Sequence, residues 1–109
     1  MAYTWPNKDP DETLDYSVDW SRFLGDATIF SVAWFINDVD GVKTSISAVQ
    51  DTTVNNLTTK YTGITKTNTV ATIRLSEGTN NVSYKITCQV TDTNGLITER
   101  VVKLRIKEN

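Results

Sequence analysis

The most regular alternation of apolar and polar side chains lies in the last third of the chain. Residues 82–92 alternate strictly, and residues 96–107 repeat the pattern with the other parity polar and basic. A period of two residues is typical of a β-strand with one face in a core. Asn94 and Gly95 separate the two runs, and Asn-Gly between alternating runs favours a hairpin. We therefore predict two antiparallel strands here.

The same alternation occurs near the start of the chain, at residues 13–20, where the apolar residues of one parity are Leu14, Tyr16, Val18 and Trp20. We predict a strand that buries these four side chains in the core.

The most apolar run, residues 27–36, has apolar side chains on both parities. Such a run predicts a central strand that is covered on both faces, at least near Trp34 and Phe35. Residues 42–50 and 52–64 are rich in Thr and Asn with sparse apolar residues, which predicts short strands or exposed edges.

Turn signals separate about seven predicted short strands, and no stretch has the 3.6-residue period of a helix. This spacing is typical of an all-β, Greek-key β-sandwich. A length of 109 residues indicates one domain. We assign residues 1–12 to an N-terminal arm and turn, and residues 13–109 to the sandwich.

Composition narrows the class of protein further. The net charge is −2 and Lys and Arg are scattered, so nucleic-acid binding is disfavoured. No run of apolar residues is long enough to span a membrane, and the first residues do not form a secretory signal. A single cysteine excludes a scaffold built on intrachain disulfides. We expect a soluble protein made in a reducing cytoplasm.

Candidate catalytic chemistry is sparse. The chain has no histidine, which removes the commonest general base and metal ligand. Cys88 lies on the inward parity between Ile86 and Val90, which predicts a small buried hydrophobe and not a nucleophile. With no paired inward carboxylates and no glycine-rich phosphate loop, we predict a protein that is not an enzyme and has no cofactor.

Three explanations fit an acidic cluster at the start of the first strand: a metal site, a catalytic pair, and a polar turn. Its carboxylates belong to Asp9, Asp11, Glu12 and Asp15. Pro10 favours a turn at Asp9, and Asp side chains accept local backbone hydrogen bonds in turns. We predict a turn that begins the first strand, and no metal. Residues 37–41, "NDVDG", likewise predict a hairpin turn, because no Glu follows to complete a Ca²⁺ loop.

The N-terminal arm carries large aromatic residues, Tyr3 and Trp5, followed by Pro6. Aromatic side chains on a terminal segment are stabilised by burial, either on the protein's own sandwich or on a partner. Both alternatives stay open. We name Tyr3, Trp5 and Pro6 as the candidate partner-binding residues.

The end of the chain resembles the end of an immunoglobulin-like domain, in which a tyrosine and a cysteine lie inward on the penultimate strand. Here these are Tyr84 and Cys88, and Trp34 is compatible with the core tryptophan. The tyrosine stands four residues before the cysteine instead of two, and the partner cysteine is absent. The resemblance implies an immunoglobulin-like sandwich without its disulfide.

The whole chain resembles small virion proteins of tailed bacteriophages. The matching positions are Lys8 to Glu12, Leu14 to Tyr16, Asp19 to Ser21, Gly25, Asp26, Ile29, Gly78, Thr79 and Tyr84. The resemblance implies a non-enzymatic structural protein of the virion, synthesised in the host cytoplasm.

Our first hypothesis for its function is that it decorates or cements the capsid through contacts with capsid or other virion proteins. Copies could also associate with one another on the particle. The alternative is a carbohydrate- or host-surface-binding immunoglobulin-like domain of a tail or fibre, for which Trp5 and Tyr61 are the candidate sugar-stacking residues.

Overall fold

The computed structural model describes residues 3–38 and 40–108, apart from the side chain of Tyr3. Within these residues nine strands and a single-turn helix are present. They are β1 (Tyr3–Thr4), β2 (Thr13–Asp19), α1 (Ser21–Leu24), β3 (Ile29–Asn37), β4 (Lys43–Ser45), β5 (Thr52–Val54), β6 (Leu57–Lys66), β7 (Val70–Glu77), β8 (Ser83–Asp92) and β9 (Ile97–Arg105).

Two sheets form a β-sandwich, as predicted. One sheet has the strand order β1-β9-β8-β3-β4 and the other the order β2-β7-β6-β5. The strand pairs are antiparallel except β1 with β9, which is parallel. The described residues hold more strands than the predicted seven because β1 and β5 are only two and three residues long. Strands this short are not recognisable in the sequence as an alternation of apolar and polar residues.

The core lies between the sheets and consists mainly of the side chains that were predicted to face inward. Trp20 and Trp34 are both buried, as predicted, and so is Cys88. Leu14 is an exception among the predicted core residues, since it is 36% exposed. It lies near the start of β2, an edge strand with a neighbour on one side only, so part of its side chain reaches solvent.

Three local predictions need correction. Residues 21–26 contain one turn of helix, α1, where only a turn was expected. β6 is a ten-residue inner strand between β5 and β7, and not an edge, and its Thr58 and Thr59 side chains are buried. The second face of β3 is not covered by another layer: Phe35 lies under the Lys43 ammonium, 4.6 Å from the ring centroid, and Phe30 is exposed.

The predicted hairpin joins β8 and β9. Asp92 Oδ1 accepts hydrogen bonds from the backbone N–H groups of Asn94 and Leu96, at 2.9 and 3.0 Å. Gly95 has a φ of +83°, a left-handed conformation that favours glycine. The turn chemistry explains why this part of the prediction is confirmed.

No helix among the described residues is long and apolar enough to cross a membrane.

Stability should fall at alkaline pH because of Cys88. Burial raises the pKa of its thiol from 9.0 to about 12, so the folded protein keeps the thiol neutral while the unfolded chain ionises it. The stabilisation is complete below pH 9 and is lost as the pH rises towards 12. We expect the free energy of unfolding to fall by about 2–3 kcal/mol between pH 9 and pH 11. Urea unfolding at several pH values measures it.

The Cys88→Ala variant is the control. It should lose the Cys88 contribution and keep the loss above pH 10 that comes from Tyr16, whose pKa burial raises to about 12, together with an opposite contribution from Lys8, whose pKa burial lowers. Parallel pH profiles for the two proteins would contradict the assignment to Cys88.

Candidate partner-binding surfaces

The N-terminal arm adds a short strand to the edge of the five-stranded sheet. Tyr3 and Thr4 pair in parallel with Val102 and Lys103 of β9. The Trp5 N–H then donates to the carbonyl oxygen of Lys103 at 3.0 Å. The backbone of residues 3–5 is therefore joined to the edge of the sheet.

The Trp5 side chain connects the two sheets. Its ring stacks on Tyr16 of β2, with centroids 4.8 Å apart and the planes 24° from parallel. Its Nε1 donates to the carbonyl oxygen of Ser17 at 3.2 Å, and its ring centroid lies 6.4 Å from that of Trp34. Since the backbone of Trp5 binds β9 while its side chain binds β2, this residue closes the open side of the sandwich.

Lys8 is a fully buried cation at the end of the arm. Its Nζ donates to the carbonyl oxygens of Asp9 at 2.8 Å and Glu77 at 2.7 Å. Burial lowers the pKa of Lys8, and the nearby carboxylate of Glu12 opposes the shift. Sequence reasoning missed this residue, because a lysine among Asn and Asp looks like a solvated turn residue.

The candidate site residues of the arm thus have different environments. Trp5 is half-buried on its own sandwich, Pro6 is exposed, and the side chain of Tyr3 lies outside the described residues. A role of Tyr3, Trp5 and Pro6 in partner binding stays a prediction, as does the division of the chain at residue 12.

The acidic cluster forms a turn, as predicted. The Asp9 N–H donates to Glu12 Oε1 at 2.9 Å, and the Glu12 N–H donates back to the Asp9 carbonyl at 3.0 Å. Asp15 instead faces outward and binds Arg74 at 2.7 Å, and this hydrogen bond lowers the pKa of its carboxyl. In the described ranges no three His, Cys, Asp or Glu side chains come close enough together to hold a metal ion. Folding without metal stays a prediction.

Residues 37–41 connect β3 and β4 as the predicted hairpin. Asp38 Oδ1 accepts hydrogen bonds from the N–H groups of Asp40 and Val42, both at 2.9 Å. Val39 lies outside the described residues. The Asp38 carboxylate is thus used to hold the turn.

A surface that the sequence did not reveal lies at one end of the sandwich. We call it the apolar end, and define it by four exposed side chains: Phe23 (42% exposed), Phe30 (70%), Leu96 (60%) and Ile97 (65%).

The three connections that meet at the apolar end, β2–β3, β6–β7 and β8–β9, are joined by backbone hydrogen bonds. These are Trp20 N–H to Thr69 O at 2.8 Å, Ile29 N–H to Asn68 O at 2.9 Å, and Thr93 N–H to Thr28 O at 3.0 Å. The four apolar side chains therefore sit on a firmly connected part of the fold.

Two features explain why sequence reasoning missed the apolar end. Phe30 belongs to a run that predicted a covered strand, but β3 shifts its register against β8 between Ile29 and Ser31, where Phe30 lies. Such an irregularity turns a side chain away from its expected face. Leu96 and Ile97 directly follow the Asn-Gly turn, and two consecutive apolar residues at a hairpin tip are a signal that could have been used.

Comparison with known protein families gives one decisive match. Residues 8–105 match the family described as "Podophage GP4 fiber-tail adaptor protein gp77", which is 98 of the 109 residues. The chain belongs to this family. No curated protein matches the chain.

Membership of the fibre-tail adaptor family makes this chain a structural component of a phage virion, as the sequence resemblance implied. The hypothesis of capsid decoration finds no support in the family, whose description places it with the tail and its fibre. The alternative placement in a tail or fibre fits better. The adaptor family is a structural one, and the absence of enzymatic activity in this chain stays a prediction.

Proposed function

We propose that this protein joins a fibre to the tail of a short-tailed phage through protein–protein contacts, without catalysis. The family match over residues 8–105 is the observation that carries the proposal. A module of this kind needs a stiff body and surfaces for two partners. The sandwich core, the docked arm and the apolar end are consistent with that requirement.

We also infer that the sandwich is of the immunoglobulin type. Strands β2, β7 and β6 neighbour each other in one sheet, and β3, β8 and β9 in the other, which is the arrangement of strands B-E-D and C-F-G in that fold. The Tyr84 hydroxyl donates to the Asn55 carbonyl at 2.6 Å and accepts from the Thr79 N–H at 3.0 Å. This buried tyrosine fixes a corner between the sheets, as a corner tyrosine does in immunoglobulin-like domains.

The adaptor function can be tested on particles assembled without the protein. Such particles should have filled heads and tails but carry no fibres when they are viewed by negative-stain electron microscopy. Purified protein, added together with purified fibre, should restore the fibres and infectivity. Particles that keep a full set of fibres without the protein would contradict the proposal.

We further propose that the arm contributes to attachment, through Tyr3, Trp5 and Pro6. Removal of residues 1–6 should leave the domain folded, because Lys8 and the core strands are retained. It should lower the free energy of unfolding by about 1–2 kcal/mol, since the Trp5 contacts with Tyr16 and Ser17 are lost. The number of copies bound per particle should fall as well. Thermal melts and quantitative particle composition measure the two effects.

A control variant separates attachment from stability. Val18→Ala removes buried methyl groups from β2 and should destabilise the fold by a similar amount, while the arm stays intact. If the truncated protein binds particles as well as Val18→Ala does, the arm only docks on its own sandwich.

A further inference from the structure

Each sheet carries two cations directly opposite one another on its outer face. In the four-stranded sheet Lys60 of β6 lies opposite Arg74 of β7, and in the five-stranded sheet Lys85 of β8 lies opposite Lys103 of β9. Side chains in such pairs have Cβ atoms about 5 Å apart, so like charges repel and destabilise the sheet. Carboxylates beside the pair offset the repulsion.

The pair in the four-stranded sheet has these carboxylates. Lys60 Nζ lies 3.3 Å from Asp51 Oδ2, and Arg74 Nε lies 2.7 Å from Asp15 Oδ1. The two cations and two carboxylates carry no net charge together, so this pair is satisfied within the chain.

The pair in the five-stranded sheet is not satisfied in this way. In the part of the chain that the structure describes, no side chain forms an ion pair or hydrogen bond with those of Lys85, Lys103 or the nearby Arg105. Glu99 faces outward from β9 but binds Lys43 at 2.9 Å. We call the three unneutralised cations Lys85, Lys103 and Arg105 the basic face.

The turns next to the basic face do not neutralise it either. The carboxylates of Asp9, Glu12 and Asp38 accept backbone hydrogen bonds of their own turns. Asp11 and Asp40, on the same two turns, form no ion pair with a described residue. An anion from outside the chain is therefore needed to neutralise the basic face.

The charge of this sheet contrasts with that of the whole chain. Its outward-facing charged residues are four cations and one carboxylate, a net charge of +3, whereas the chain has a net charge of −2. They are Lys43, Lys85, Lys103, Arg105 and Glu99. A surface with complementary charge, rich in Asp and Glu, suits this face.

The basic face also has a shape that receives side chains. A depression of about 310 Å³ is lined by Ser83, Tyr84, Lys85, Val101 and Lys103. The Val101 side chain is 37% exposed. An apolar floor beside two ammonium groups fits the aliphatic stem and the carboxylate of a Glu side chain, which favours a protein surface over a phosphate backbone.

The basic face is continuous with the N-terminal arm. Thr4 of β1 pairs with Lys103, and the Lys8 N–H donates to the Arg105 carbonyl oxygen at 3.0 Å. A protein that covers the arm therefore also contacts the basic face. Since the arm is proposed to attach to the particle, the partner that this continuity favours is the tail protein and not the fibre.

We propose that the basic face is the docking surface for an acidic surface of the tail protein. This inference rests on the proposed adaptor function and adds the surface, the partner and its chemistry. Lys85 and Lys103 bind carboxylates of the partner at the rim of the depression, and Arg105 extends the contact along β9.

The test measures binding of the purified full-length protein to particles assembled without it, and separately to purified fibre. The variant Lys85→Gln/Lys103→Gln neutralises the pair, and Lys85→Glu/Lys103→Glu reverses its charge. Lys60→Gln/Arg74→Gln is the matched control, because it removes the same two charges from a cross-strand pair on the other sheet.

We expect Lys85→Gln/Lys103→Gln to bind the particles about fivefold more weakly and Lys85→Glu/Lys103→Glu about 30-fold or more weakly. The control should change this affinity by no more than about twofold, and binding of all variants to the fibre should match that of the wild type. Raising the salt concentration from about 0.05 to about 0.5 M should weaken wild-type binding to the particles by about tenfold or more.

Thermal melts show whether the lysines serve the fold instead. Lys85→Gln/Lys103→Gln should melt at or above the wild-type temperature because the repulsion is removed, whereas the control should melt slightly lower because two ion pairs are lost. A melting temperature of Lys85→Gln/Lys103→Gln well below that of the control would show that the lysines hold the sheet together and would overturn the proposal.

The binding results distinguish this proposal from the adaptor function. If the folded variants bind particles like the wild type, or lose only the fibre, the docking surface or its partner is wrong and the adaptor function stands. If the wild type binds neither particles nor fibre, both proposals fail. A wild-type dimer in sedimentation equilibrium, or binding of duplex DNA, that the charge reversal abolishes would identify a different occupant and overturn the proposed one.

Discussion

The Trp20→Ala variant is expected to lose about 3–5 kcal/mol in the free energy of unfolding. Trp20 is fully buried just after β2 and connects elements that are distant in sequence. Its ring meets Phe23 edge-on with centroids 6.0 Å apart, and the Arg100 guanidinium lies 4.8 Å above it. Alanine would leave a cavity between the two sheets at the base of the apolar end. Urea unfolding monitored by far-UV circular dichroism measures the loss.

Phe23→Ala provides the comparison for Trp20. Phe23 packs on Trp20 but is 42% exposed, so its loss should be well below that of Trp20, about 1–2 kcal/mol. Trp34→Ala should fall in the same range as Trp20→Ala, because Trp34 is also buried. An unchanged unfolding midpoint for either tryptophan variant would show that this tryptophan side chain does not face the core.

The Lys8→Ala variant is expected to lose about 2–4 kcal/mol. The ammonium group holds the carbonyl oxygens of Asp9 and Glu77, which belong to different parts of the fold. Glu77 has a φ of +63°, a conformation that non-glycine residues rarely adopt, and the hydrogen bond from Lys8 stabilises it. Alanine removes both hydrogen bonds and leaves the volume of a buried side chain unfilled.

Two further variants separate the contributions of Lys8. Lys8→Met keeps most of the aliphatic stem and should lose less free energy of unfolding than Lys8→Ala. The loss in Lys8→Met then measures the hydrogen bonds without the packing of the stem. Lys103→Ala removes an exposed lysine of β9 and should change the stability by no more than about 0.5 kcal/mol. A loss for Lys8→Ala as small as that for Lys103→Ala would mean that Lys8 is solvated in solution.

Local patterns predicted much of the fold. Apart from the partly exposed Leu14, the alternation in β2, β8 and β9 placed their inward side chains correctly, because each strand has one face in the core and one in water. The Asn94-Gly95 hairpin followed from turn chemistry, and the acidic turn before β2 from the backbone preference of Asp and Pro. These features depend on residues that are close in sequence.

Features that depend on distant residues could not be predicted in this way. The Lys8 contact with Glu77 joins residues 69 positions apart. The register shift in β6 between Lys60 and Thr65 brings Gly63 against the Arg74 side chain, where a Cβ atom would clash. Neither feature leaves a periodic pattern, because each is set by the packing of one strand on another.

The place of the protein in the virion could not be derived from its pattern either. A compact sandwich suits capsid decoration and tail adaptation equally, and the distinction depends on which partner fits its surface. Surfaces such as the apolar end consist of residues from separate connections and form only in the folded protein.

Imaging the virion by electron cryo-microscopy tests the tail–fibre position most directly. Density for a sandwich of 41 by 28 by 24 Å should lie at the junction of the tail and the base of each fibre. Density for the sandwich on the outer surface of the capsid, with none at the tail–fibre junction, would contradict the adaptor function.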